Sequence, residues 1–251
     1  MAGEQDRRDP VAWLRAATQA RIGLERAGHA LPTRPMLAFQ WDHARARDAV
    51  HGAIDPDRIA AALSQPPIVV NSQATDRTRY LTRPDLGRRL DAESKAVLKR
   101  HESGFDLAIV LADGLSAAAV QAHGAAMVEL IGQALPDWRI APPIIARQAR
   151  VALGDEVGEA LGAAMVLVLI GERPGLSSPD SLGAYLTASP RVGRRDSERN
   201  CISNIRPPHG LSYRAAADTI LWLMRQVRLG HATGVSLKDL RDDHASPVIE
   251  G

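Results

Sequence analysis

The stretch AAMVLVLIGERPGL, Ala163 to Leu176, runs apolar as far as Ile170 and then ends on Gly171, Glu172 and Arg173. A carboxylate and a guanidinium at that place can grip a polar ligand, because open parallel sheets bind ligands just beyond the carboxyl ends of their strands. DGLSAAAV offers a second chemistry. Gly114, Leu115 and Ser116 match the start of a nucleophile elbow, and a hydrolase would use Ser116 with a later base and acid, for which His209 and Asp218 stand available. The fifth position of that motif is Ala118 rather than glycine. The plainer role for Asp113 or Ser116 is a helix cap that satisfies orphan amides. Cys201, in RNCISNIRPPHG, sits among Asn200, Ser203, Asn204 and Arg206, which read as a polar loop after a strand. Its residue type leaves a small buried role and a ligand-lining role both open. RQARVALGDEV sets Arg150 and Val151 ahead of a helix start whose Asp155 and Glu156 suit the helix dipole. Arg150 and Val151 then belong to the loop at the ligand edge of the sheet.

Other chemistries lack their residues. There is no Gly-x-Gly, so the dinucleotide fingerprint is missing, and no phosphate-cradling Walker loop occurs. One cysteine excludes an internal disulfide and a cysteine-based metal cluster, and no histidine pair stands at zinc spacing. Lone cysteine usage fits a reducing compartment.

The elements that must position these residues change style along the chain. Residues 10 to about 100 read as short helical pieces broken by prolines, with Asp-Pro starts at DPVAWLRAAT and DPDRIAAALSQ. PPIVVNSQ is a short strand candidate. From about residue 105 the pattern alternates: FDLAIVLADG as a buried strand, a long helix from Leu115, WRIAPPIIARQARV as a strand region, GDEVGEALG as a short helix, then AAMVLVLIG and LGAYLTASP as strands. AAADTILWLMRQVRLG closes as an amphipathic helix, and LKDLRDDHASPVIEG reads as a frayed tail. Uninterrupted apolar strands alternating with helices predict an α/β fold, a Rossmann-like parallel sheet with helices on both faces, after a smaller mainly helical region. The expected division is residues 1–100 and 101–251.

At 251 residues the chain can bury a sizeable core, and 45% apolar with 24% charged residues is ordinary for a globular protein. Aromatics are only 4%, so aliphatic side chains must fill that core. The net charge of +2, from 31 basic against 29 acidic residues, gives no basic face with interleaved aromatics, so no nucleic-acid partner is expected. No secretion signal and no membrane-spanning apolar run is visible. The arginine-dense RYLTRPDLGRRL, Arg79 to Leu90, suits a docking surface for another chain, since arginine is favoured at interfaces. A solvated loop is its bland alternative.

Seven blocks together resemble one family: ARIGLERAG, TRPMLAFQWDHARARD, YLTRPDLGRRL, IVLADGLS, RVALGDEVGE, LIGERPGL with SLGAY, and RNCISNI. In this order, from about residue 19 to residue 206, they are similar to the light chain, or small subunit, of ethanolamine ammonia-lyase. The resemblance implies an adenosylcobalamin-dependent enzyme that converts ethanolamine to acetaldehyde and ammonia. It implies a large subunit, a TIM barrel, that holds substrate and catalytic groups, and a light chain that covers the other side of the corrin. Residues 1–100 would dock on the large subunit, and residues 101–251 would cover the cobalamin. The family's cofactor-lining positions fall on Val151, Glu172 and Cys201, with Arg150 and Arg173 on the same rim. No catalytic residue and no metal ligand is expected on this chain. Cobalamin proteins that supply a histidine carry Asp-x-His-x-x-Gly; here Lys99 replaces the Asp before His101 and Gly104, consistent with the family's base-on mode. Some members carry a long N-terminal extension linked to packing in a bacterial microcompartment. This sequence opens almost at the folded region, so the cytoplasm is expected at least as much as a microcompartment.

Overall fold

The computed structural model describes residues 11, 13–14, 21–24 and 28–239. Most of DPVAWLRAAT, part of ARIGLERAG and the tail beyond residue 239 lie outside the described residues.

Six strands form one sheet: β1 (Ile68–Asn71), β2 (Leu107–Ala112), β3 (Ile144–Arg147), β4 (Met165–Gly171), β5 (Leu182–Ala188) and β6 (Asn200–Ile205). Their order is β1-β3-β2-β4-β5-β6. The first four strands run parallel, whereas β5 and β6 pair antiparallel. Helices α1 (Thr33–His51), α2 (Pro56–Ala60), α3 (Arg77–Thr82) and α4 (Ala92–Leu98) precede β2. They are followed by α5 (Ala117–Gln133), α6 (Leu153–Ala160) and α7 (Tyr213–Arg228).

The apolar runs are explained by burial on both faces. Successive residues of a strand point to opposite faces. Leu107, Ile109 and Leu111 of β2, with Leu167 and Leu169 of β4, pack against Val120, Met127 and Ile131 of α5 and Ile220 and Met224 of α7. Ala108, Val110 and Ala112, with Val166 and Val168, pack the other way, against Leu98 of α4 and Leu153 and Val157 of α6. The expected mixed α/β fold with helices on both faces is therefore present, in a layout compatible with a Rossmann-like sheet. Among the described residues, no helix is long and apolar enough to cross a membrane.

Two local expectations need correction. LGAYLTA is a strand, but an antiparallel one. The connection before it, residues 172–181, holds no helix, and a parallel return needs a crossover of about a dozen residues or more. RNCISNI is not a loop but the edge strand β6. Only Ile202 and Ile205 of β6 are buried. An edge strand with one wet face shows no apolar run, so its polarity reads as a loop.

Candidate functional site

The chain leaves β2 towards β3 and leaves β4 towards β5, on opposite sides. Such a divergence opens a crevice at the carboxyl ends of the strands. The structure has one there, of about 440 Å³, lined by Tyr80, Gly114, Leu115, Arg150, Val151, Ile170, Gly171, Glu172, Arg173, Tyr185 and Ser203.

Its floor is backbone. Gly114 has φ +55°, and a Cβ there would lie 2.2 Å from the Gly171 carbonyl oxygen. Only glycine takes that conformation at that separation without strain. The turn after β2 is tied to the turn after β3 by Asp113, whose carboxylate accepts from Gln148 N at 2.8 Å and Ala149 N at 2.9 Å. Burial pushes the Asp113 carboxyl up, and those two N–H groups and Arg77 pull against it.

One wall is cationic. The buried Tyr80 ring lies between two guanidinium groups, Arg77 at 4.7 Å and Arg150 at 4.5 Å from its centroid. Tyr80 donates to the Ala149 carbonyl at 3.2 Å, and burial raises its phenol to about 12. Arg150 donates to the Tyr80 carbonyl at 3.2 Å, and its Nε is buried with no hydrogen-bond partner among the described residues. Val151 stands beside Arg150 at the start of α6, an apolar patch on a charged wall.

The facing wall comes from β4, β5 and β6. Glu172 accepts from Ser181 Oγ at 2.6 Å, from Asn204 N at 3.2 Å and, in a short contact, from Ser203 Oγ. Cys201 is exposed, and it is opposite Tyr185 across the β5–β6 ladder. The Tyr185 side chain is the cross-strand neighbour of the Cys201 thiol. Desolvation raises the Cys201 thiol, and the polar Tyr185 hydroxyl beside it partly offsets that. The loop after Glu172 is anchored from behind: Arg206 donates to Asp180 at 2.6 Å and to the Ser177 carbonyl at 2.7 Å.

The structure thus brings Val151, Glu172, Arg150 and Arg173 to one crevice. Cys201 is not among its lining residues and reaches it through Tyr185. Tyr80 and Tyr185 line the crevice without having been singled out from sequence, and Ser203 was read only as part of a polar loop. Ser203 follows Cys201 by two, the spacing of one face of a strand, and that signal was masked by reading the segment as a loop.

The hydrolase reading loses its nucleophile. Ser116 is fully buried; its hydroxyl donates to the Pro179 carbonyl at 2.7 Å and accepts from Ala119 N at 3.2 Å as the cap of α5. His123, the histidine within α5, is engaged with the Tyr213 hydroxyl at 2.7 Å, not with Ser116. A second cavity, of about 360 Å³ near Trp138 and Leu135, holds a single carboxylate, Glu129. Both oxygens of Glu129 are taken by Ser64. Among the described residues, no group of histidine, cysteine and acidic side chains could hold a metal ion.

Comparison with known proteins gives the crevice its context. Residues 8–238 match the family model described as ethanolamine ammonia-lyase light chain. A protein of Ralstonia nicotianae named ethanolamine ammonia-lyase small subunit is 52% identical over 251 aligned positions, 96% of this chain and 92% of that protein. Proteins of the same name from Xanthomonas campestris and Azotobacter vinelandii are 54% and 51% identical, over 94% and 92% of this chain and 89% and 88% of theirs.

Proposed function

The chain belongs to the ethanolamine ammonia-lyase light chain family, and from that premise we propose that its crevice covers one side of adenosylcobalamin against a large subunit, a TIM barrel, that carries the catalytic groups. The name of its relatives makes this a subunit of a carbon–nitrogen lyase. The reading sets it in the cytoplasm or in a bacterial microcompartment, with residues 1–100 docking on the large subunit and residues 101–251 covering the cofactor.

One observation carries this reading: a backbone-floored crevice at the ends of β2, β3 and β4 in which Val151, Glu172 and Arg150 converge. The residues fit the group. A corrin with its amide side chains and nucleotide is larger than about 440 Å³, so this chain takes one side of it and leaves the rest to another chain. The half-buried guanidinium of Arg150 supplies donors for the cofactor's amide carbonyls or phosphodiester. When bound, the cofactor supplies cobalt–carbon homolysis, and the protein supplies placement and shielding. Val151 and Leu115 offer an apolar surface that excludes water. Cys201 and Tyr185 extend that wall along β5 and β6.

The test is co-purification with a large subunit, followed by addition of adenosylcobalamin and ethanolamine and measurement of acetaldehyde. Turnover that requires both chains is the expected result. Ethanolamine deamination by this chain alone would refute the division of labour.

A further inference from the structure

We propose that the Glu172 carboxylate is a positioning group: it latches a bulge of β6 to the end of β4, and so holds the wall that carries Cys201 and Ser203. This rests on the reading of the crevice as the cofactor-covering face.

The ladder between β5 and β6 is interrupted where the latch sits. Leu182 pairs with Ile205 and Ala184 with Ile202. Between those pairs, the single residue Gly183 faces two, Ser203 and Asn204. That is a bulge, the kind of irregularity that re-aims side chains beside functional sites. Asn204 has φ +60°, a left-handed conformation found in some bulged strands. On its other side β6 meets no strand, only the bridge to Leu211, whose N–H donates to the Asn204 carbonyl at 2.7 Å.

Glu172 fills the gap. Its carboxylate takes the Ser203 hydroxyl and the Asn204 N–H, one donor from each of the two bulged residues. It also takes the Ser181 hydroxyl at 2.6 Å, from the residue before β5. Its own N–H donates to the Ser181 carbonyl at 2.9 Å. A Cβ at Gly183 would stand 3.0 Å from Glu172 Oε1, so the glycine opposite the bulge leaves room for the carboxylate. Among the described residues no arginine or lysine forms an ion pair with Glu172. Three donors from its own chain occupy an acceptor with about four lone-pair sites. Little capacity is left for a ligand, so Glu172 faces the crevice chiefly through its stem and backbone.

The experiment uses the complex of this chain with its large subunit. Two quantities are read for Glu172→Ala, Glu172→Gln, Ser203→Ala and the double variant Glu172→Ala/Ser203→Ala. One is amide hydrogen exchange of the peptide covering residues 200–206 without cofactor. The other is the dissociation constant of added adenosylcobalamin. Loss of hydrogen bonds to a charged acceptor is expected to speed exchange in that peptide by about tenfold or more in Glu172→Ala. A smaller rise is expected in Ser203→Ala, and the double variant should exchange no faster than Glu172→Ala. Cofactor affinity should fall in the same order, with Glu172→Gln, which keeps one acceptor and the same shape, between wild type and Glu172→Ala. A large loss of affinity with exchange unchanged, or effects of the two sites that simply add, would make the carboxylate a direct contact and overturn the latch. Wild-type complex that takes up no adenosylcobalamin would instead overturn the reading of the crevice, while exchange would still decide the latch.

Discussion

The backbone of Gly114 and the carbonyl of Gly171 approach so closely that a methyl group at position 114 would stand 2.2 Å from that oxygen. The ends of β2 and β4 are thereby sealed together beneath the crevice. Gly114→Ala must part them and hold alanine at a positive φ. Overpacking of this kind costs about 1–3 kcal/mol, and the left-handed conformation adds about 1 kcal/mol. Urea unfolding of the variant should show that loss.

Ser116 separates a cap from a nucleophile. As the cap of α5, its replacement by alanine should cost about 1–2 kcal/mol of stability. As a nucleophile, it would react with a serine-directed phosphonate. The account predicts the stability loss and no labelling at Ser116, read by mass spectrometry of the treated chain.

The Arg199–Asp155 pair ties the segment before β6 to α6. Arg199 donates to both oxygens of Asp155, at 2.6 and 2.7 Å, and to Thr187 Oγ1 at 2.9 Å, with both ionic side chains buried. Removing one partner leaves a buried charge alone. Arg199→Leu is therefore expected to cost about 3–5 kcal/mol, whereas replacing both residues by apolar ones of similar size should recover part of it. The double-mutant cycle measures the difference.

His123 gives the fold a pH dependence. Burial lowers its pKa below the ordinary histidine value, and nearby Asp180 opposes that. The unfolded chain then binds more protons than the folded one at mildly acid pH. Stability from this group is complete above the unfolded value of about 6.5 and is lost as pH falls through the lower folded value. Urea midpoints of wild type should drop from pH 7.5 towards pH 5, and His123→Gln should drop less.

Much of this was legible from residue order. Leu107 to Ala112 and Met165 to Gly171 announce strands buried on both faces because their apolar runs lack alternation. Val151 and Glu172 follow β3 and β4, so strand ends alone direct attention to them. The orientation of β5 was not legible from its own residues; it depends on the length of the loop before it. The partners of Glu172 were hidden more deeply. Ser181, Ser203 and Asn204 meet it only through the β5–β6 register and its bulge, and register across an irregular edge leaves no periodic mark. Tyr80 likewise enters the crevice wall from α3, far away in sequence, through the stacking of two arginines.

The central claim is that this crevice is the cobalamin-covering face of a two-chain lyase. It is tested most directly by titrating adenosylcobalamin into the assembled complex carrying Val151→Trp, with the absorbance of the bound cofactor as the readout. Val151 lines the crevice beside Arg150, so an indole there must obstruct it. The account predicts a dissociation constant raised by about tenfold or more, the equivalent of about 1.4 kcal/mol, with the two chains still assembled. An unchanged affinity in an intact complex would contradict it.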